Sequence, residues 1–121
     1  MRTRIMRALG VATITWILAA SAAAWCSYQV APTVTQHQAE LRRCAGTSRG
    51  QVQIDLTLSA DGHLTHASLV GEPTPPMRRF GNCVIRRART WTFPENRDAF
   101  TGRVQLEPMD DHVVVRAASR D

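Results

Sequence analysis

The fold is decided by residues 51–70, which read QVQIDLTLSADGHLTHASLV. The first half alternates apolar and polar side chains, and its apolar positions are Val52, Ile54, Leu56 and Leu58. Strict period-two alternation predicts a strand with one buried face. Asp61-Gly62 then predicts a hairpin turn, because glycine tolerates a positive φ. The return strand at 63–70 changes parity, and a bulge near Thr65-His66 would restore its register.

Helices are predicted on both sides of this hairpin. Residues 37–43 (HQAELRR) predict a short helix with Thr35 as its N-cap. Residues 77–90 (MRRFGNCVIRRART) predict a longer one, which Pro94 prevents from continuing. Its apolar side chains recur at steps of three and four residues, at Met77, Phe80, Val84, Ala88 and Trp91. That spacing places them on one helix face, toward the sheet.

A further strand is predicted at 103–107, with Val104 and Leu106 inward and Pro108 at its end. The apolar run 113–115 is either a frayed edge strand or part of a tail. The order helix, strand, strand, helix, strand predicts an α+β domain at 37–109: a small three-stranded antiparallel sheet with two helices on one face. Residues 110–121 are expected to form the tail.

The N-terminus predicts export. Residues 1–7 are basic, and residues 8–36 contain no charged side chain. Residues 1–24 therefore form a signal peptide or an uncleaved anchor helix, with cleavage expected before Trp25 and an alternative site after Ala20-Ser21-Ala22. The anchor alternative stays open, because 8–26 contains 19 residues, about 28 Å of helix against about 30 Å of hydrocarbon. Either outcome places the domain in the periplasm or an equivalent extracytoplasmic space, in one case tethered to the inner membrane.

Residues 25–36 are expected to form a linker, because Pro32 and the Thr/Val content disfavour a helix. Within the linker, Cys26 follows Trp25 rather than the small residue that lipid attachment requires.

Bulk charge does not indicate a nucleic-acid partner. The chain has a net charge of +5, but three of its 15 basic residues lie in residues 1–7. The remaining 12 arginines face 10 acidic residues, a net charge of +2. One arginine-rich helix face stands out as either a solvated surface or a contact for an anionic ligand; it contains Arg78, Arg79, Arg86, Arg87 and Arg89.

We find no pairing of a nucleophile with a base, and no phosphate-binding loop. His63 and His66 are three residues apart, so on a regular strand they point to opposite faces and do not form a metal site. The sequence therefore predicts a non-enzymatic protein that needs neither a cofactor nor a metal.

The three cysteines predict one disulfide. An oxidising compartment favours pairing, and Cys44 and Cys83 can meet if both helices cover the same sheet face. This bond would close a loop of 40 residues and stabilise the fold by about 4 kcal/mol. The competing pairings use Cys26, which could instead link two chains.

The ordered set of these motifs resembles the TonB C-terminal domain superfamily, and within it the AgmX/PglI-type C-terminal domain. The pieces that carry the resemblance, over about residues 38–109, are Cys44, Gly50-Gln51-Val52, Asp61-Gly62, Cys83-Val84, Trp91-Thr92-Phe93-Pro94, Gly102, Val104 and Pro108. It implies a three-stranded sheet with two helices on one face and protein–protein contact in the cell envelope. In TonB itself an exposed strand pairs with a partner's peptide. The long spacer and the anchor histidine of TonB energy transducers are missing here, so a transducer role is not expected.

The expected contact surface is an unpaired sheet edge, formed by Arg103, Val104, Gln105 and Leu106. It would bind an extended peptide of an envelope protein, or a second copy of the chain in a homodimer. One alternative is a structural envelope protein that is anchored, or that self-associates through Cys26. Another is a secreted protein that binds an anionic ligand through its arginines.

Overall fold

The computed structural model describes residues 29–119. Four strands form one antiparallel sheet in the order β2-β1-β3-β4. The strands are β1 (Val52–Leu58), β2 (Leu64–Leu69), β3 (Phe100–Pro108) and β4 (Val113–Ala118). The predicted α+β class is confirmed, but the sheet has four strands rather than three.

The β1–β2 hairpin forms as the alternation predicts. The inward side chains of β1 are buried and the outward ones are partly exposed. Gly62 adopts φ +89° in the turn, and a Cβ there would lie 2.1 Å from the carbonyl oxygen of Phe93. The predicted bulge is present, because His66 pairs with Thr57 and Leu64 with Leu58, which leaves Thr65 as the extra residue.

Three helices cover the buried face of the sheet: α1 at residues 29–36, α2 (Gln38–Ala45) and α3 (Pro75–Ala88). Helix α3 begins with two prolines, which suit a first helical turn because its N–H groups have no helical partner. Gly81 lets α3 approach the sheet closely, since a Cβ there would lie 2.6 Å from the side chain of Leu69. This close contact explains why α3 contains Gly81, although glycine weakens an isolated helix.

The expectation that residues 25–36 contain no helix is wrong for 29–36. Val30 and Val34 lie one helical turn apart, and both are fully buried, with exposed fractions of 0% and 1%. Their packing into the core outweighs the low helix propensity of the segment. Thr35 does not cap α2; its hydroxyl donates to the carbonyl of Ala31 in α1 instead. Residues 1–28, with the predicted signal, the anchor and Cys26, lie outside the described residues.

The C-terminal residues also differ from the prediction. Residues 113–118, which were expected to belong to a tail, form β4 and pair with residues 103–108 of β3. Strand β3 therefore lies between β1 and β4. The predicted free edge at Arg103, Val104, Gln105 and Leu106 is consequently wrong, because β4 covers it. The edges of the sheet are β2 and β4.

Candidate functional site

The outer edge of β4 follows from the hydrogen bonds of the β3–β4 hairpin. Met109 donates its backbone N–H to the carbonyl of His112 at 2.8 Å. Bonded and non-bonded pairs alternate along an antiparallel ladder, and Pro108, which has no N–H, falls at a non-bonded position. Alternate residues of β4 therefore turn their N–H and C=O groups away from β3. They are Val113, Val115 and Ala117.

The first of these outward positions is occupied by a side chain. The amide of Gln38 donates from Nε2 to the carbonyl of Val113 at 2.8 Å, and its Oε1 accepts the N–H of Val113 at 2.9 Å. The side-chain amide thus takes the place that the peptide group of an added strand would occupy. The next outward groups, on Val115 and Ala117, have no hydrogen-bond partner within residues 29–119.

A groove runs beside this open part of the edge. It is mainly apolar, has a volume of about 600 Å³ and is lined by Ala31, Pro32, Thr35, Val115, Arg116 and Ala117. The side chains of Val115 and Ala117 point toward the helix layer, because they pair across the sheet with the buried Leu106 and Val104. A strand added to β4 would therefore place every second side chain in the groove between β4 and α1.

The other edge, β2, is built differently. Its bulge at Thr65 interrupts the register, and the Thr65 hydroxyl donates to the carbonyl of Thr57. His66 and Ser68 are exposed there. Bulges and polar side chains discourage pairing at a sheet edge. Strand β4 has no bulge in its pairing with β3, so it is the more regular of the two sheet edges.

On the sheet face opposite the helices, polar side chains of neighbouring strands bond to each other. Three cross-strand pairs join β1 to β3 there: Gln53 with Gln105, Asp55 with Arg103, and Thr57 with Thr101. The guanidinium of Arg103 makes two hydrogen bonds to the Asp55 carboxylate, at 2.8 and 3.1 Å. Arg103 and Gln105, which were predicted to contact a partner, are therefore engaged within the sheet.

The predicted disulfide is confirmed. Cys44 near the end of α2 bonds to Cys83 in α3, with their Cα atoms 5.6 Å apart. The bond ties the helix that carries Gln38 to the helix that packs on β1 and β2. It thereby supports the placement of the Gln38 amide against β4.

A second cluster supports the same part of α2. The indole N–H of buried Trp91 donates to the carboxylate of Glu40. The ring of His37 stacks on Trp91, with centroids 4.1 Å apart and planes 4° from parallel, and its Nδ1 lies 3.2 Å from the same Glu40 oxygen. The sequence indicated only that Trp91 lies on the helix face that points toward the sheet. Its polar partners lie more than 50 residues away, so the sequence contains no local sign of them.

The histidines and acidic residues do not assemble into a metal site within residues 29–119. His63 lies 4.0 Å from Asp61, and His112 lies 2.6 Å from its neighbour Asp111. A hydrogen bond from Ser59 lowers the pKa of Asp61. The pKa of Asp111 is also lowered, first by its hydrogen bond with His112 and then by the charge of that ring. Both carboxyl groups lie in exposed turns, where such contacts stabilise a hairpin.

Among the helices of residues 29–119, none is both long enough and apolar enough to cross a membrane. No protein-family model matches the chain, and no curated protein or solved structure matches it significantly.

Proposed function

We propose that this chain is an exported, non-enzymatic protein–protein interaction module of the TonB C-terminal type, which binds an extended segment of an envelope protein at the outer edge of β4. The observation that supports it is the open pair of outward backbone positions at Val115 and Ala117, beside the groove along α1. In this mode of recognition the main-chain hydrogen bonds give affinity, and alternate side-chain pockets give specificity.

The proposed edge replaces the one expected from the sequence. Residues 103–106 of β3 cannot accept a strand, because they already pair with β1 on one side and β4 on the other. Strand β4 offers two neighbouring N–H and C=O pairs, while Gln38 limits the binding segment at Val113. An added strand would therefore start beyond Val113 and extend toward Ser119.

A proline substitution tests the docking edge. Ala117→Pro removes an outward N–H that is not part of the β3–β4 ladder, so the fold is expected to tolerate it. Ala67→Pro is the matched control, because the N–H of Ala67 points outward from β2. That orientation follows from the bond between Val70 N–H and Gln53 carbonyl, three residues along the same ladder.

A photo-crosslinking residue at Thr35, which is exposed and lines the groove, reports the occupant in the cells that produce the protein. We expect an adduct that Ala117→Pro abolishes and Ala67→Pro preserves. An adduct that survives both substitutions, or that forms equally from Ser68 on the opposite edge, would contradict docking at β4. An adduct of twice the chain mass would identify a second copy as the occupant.

Export is a separate part of the proposal. It is supported by the order of basic, apolar and small residues in the first 24 positions and by the Cys44–Cys83 bond, which an oxidising compartment favours. Intact-mass spectrometry of the mature protein gives the cleavage site, any lipid and the oxidation state together. A reduced, uncleaved chain recovered from the cytoplasm would contradict export.

A further inference from the structure

Helix α3 carries a strongly cationic surface. No acidic residue occurs between Glu72 and Glu95. Five arginines lie in this interval, and all of them are exposed: Arg78, Arg79, Arg86, Arg87 and Arg89. Residues 73–94 therefore carry five positive charges and no negative side chain.

The same arginines lack partners in space. None of them makes an ion pair or a side-chain hydrogen bond with another residue in the part of the chain that the structure describes. Arginines elsewhere do find carboxylates; Arg49 lies 2.6 Å from Asp110, and Arg103 lies 2.8 Å from Asp55. Pairing is thus available in this fold but is not used on α3.

The helix dipole does not account for the surface. It favours cations near a helix C-terminus, where Arg86 and Arg87 lie, but disfavours them near the N-terminus. Arg78 nevertheless lies in the first turn of α3, which has no acidic residue. At about 100° per residue, four of the arginines fall within about 100° of arc, opposite the buried stripe of Met77, Phe80 and Val84. They are Arg78, Arg79, Arg86 and Arg89.

The arrangement fits an extended anionic surface better than a small anion. A phosphate ion needs donors that converge on one point, whereas these arginines are spread along a helix of 14 residues, about 21 Å long. A bilayer that contains anionic phospholipid presents negative charge over such a length. Each basic side chain near that surface contributes about 1 kcal/mol of attraction.

The position of the chain's N-terminus favours a membrane over an acidic protein. Only residues 27 and 28 separate the apolar segment 8–26 from Gln29, the first described residue of α1. Gln29 accepts a hydrogen bond from Asn96, in the loop that follows α3. Since α1 belongs to the core, a retained segment would hold the domain against the bilayer, with Gln29 and the loop around Asn96 near the tether.

We propose that the arginine face of α3 binds the headgroups of anionic phospholipids and orients the domain on the membrane. This proposal rests on the proposed export, but it does not depend on docking at β4. A failure of the crosslinking experiment at Thr35 would leave it standing, and a failure here would leave the β4 edge intact.

Arginine footprinting tests the proposal on the full chain, with phosphatidylcholine vesicles that contain or lack phosphatidylglycerol. Phenylglyoxal modification, read residue by residue by mass spectrometry, should show protection of the α3 arginines by the anionic vesicles alone. Salt should remove the protection, and Arg49 and Arg116, on other surfaces, should react equally with both vesicles. Equal modification of the α3 arginines with both kinds of vesicle would overturn the proposal. It would also be overturned if inorganic phosphate, at matched ionic strength, abolished the protection that anionic vesicles give.

Two triple variants separate a specific face from bulk charge. The test variant is Arg78→Gln, Arg86→Gln, Arg89→Gln. The control is Arg42→Gln, Arg49→Gln, Arg116→Gln, which loses the same charge near β4 and the Asp110 turn. The readout is the partition coefficient on anionic vesicles divided by that on neutral vesicles. Insertion of the apolar segment contributes equally to both coefficients, so it cancels in the ratio. The test variant should lower this ratio about 100-fold, and the control less than about threefold. An equal loss in both variants, or none in the test variant, would overturn the proposal.

Discussion

The side-chain amide of Gln38 forms two hydrogen bonds with the backbone of Val113, a residue 75 positions away. Through them α2 occupies the first outward position of β4 and leaves the next two, Val115 and Ala117, without a partner within residues 29–119. This contact sets where the open edge begins. It also couples the edge to α2, which Cys44 and Glu40 fix to the rest of the helix layer.

Gln38→Ala should therefore weaken the start of β4. Two hydrogen bonds are lost from a partly buried site, and we expect the free energy of unfolding to fall by about 1–2 kcal/mol. The amide proton of Val113 should also exchange faster. Gln36→Ala, at an exposed position in α1, is the control and should change neither quantity. Unchanged exchange at Val113 in the Gln38 variant would show that the amide does not cap the edge.

Val34→Ala should destabilise the domain even though its segment resembles a linker in sequence. Val34 is 1% exposed and packs in the core, so losing two methyl groups and leaving a cavity should cost about 2 kcal/mol. Urea unfolding of the full chain measures this cost. If the change matches the few tenths of a kcal/mol expected for exposed Thr35→Val, α1 is not part of the core.

Cys44→Ser combined with Cys83→Ser should lower the free energy of unfolding by about 4 kcal/mol, the chain-entropy estimate for a closed loop of this length. A reducing agent should produce the same loss in the natural chain and no further loss in the double variant. Chemical denaturation with and without reductant checks both. A reductant effect that persists in the double variant would show that another cysteine bond, through Cys26, contributes.

Glu40→Ala should leave the indole N–H of buried Trp91 without an acceptor. An unsatisfied buried donor costs about 1–3 kcal/mol, and the stacking of His37 should loosen as well. Glu40→Gln keeps an acceptor oxygen and should lose less than half as much. Thermal unfolding of the two variants compares them, and equal losses would indicate that the charge of Glu40, rather than its hydrogen bond, stabilises the cluster.

The sequence predicted best what is repeated along the chain. The alternation at 51–58 and the Asp61-Gly62 turn specified the β1–β2 hairpin, and the change of parity in β2 located the bulge at Thr65. The pairing of Cys44 with Cys83 was predictable because both lie on helices over the same sheet face. For the hairpin, the local alternation of apolar and polar residues was enough. For the disulfide, the expected oxidising compartment and the positions of the two helices were enough.

The sequence failed where packing rather than a local period decides. The burial of Val30 and Val34 provides only two contacts one turn apart, too few to reveal α1 among Thr, Val and Pro residues. Residues 113–118 do not alternate, since Val114 and Val115 are both partly buried. Because β4 was not predicted as a full strand, β3 was taken for the edge. The Gln38–Val113 contact, between distant residues, leaves no local pattern to detect.

Backbone amide exchange along β4 in the dilute, full-length protein shows whether the outer edge of β4 is open. The amides of Val114 and Arg116 donate to β3, while those of Val115 and Ala117 point outward. We expect alternation, with slow exchange at 114 and 116 and fast exchange at 115 and 117. Exchange at 115 and 117 should slow only when a strand docks. Equal protection of all four amides in the monomer would show that the edge is already covered and would contradict β4 as the docking site.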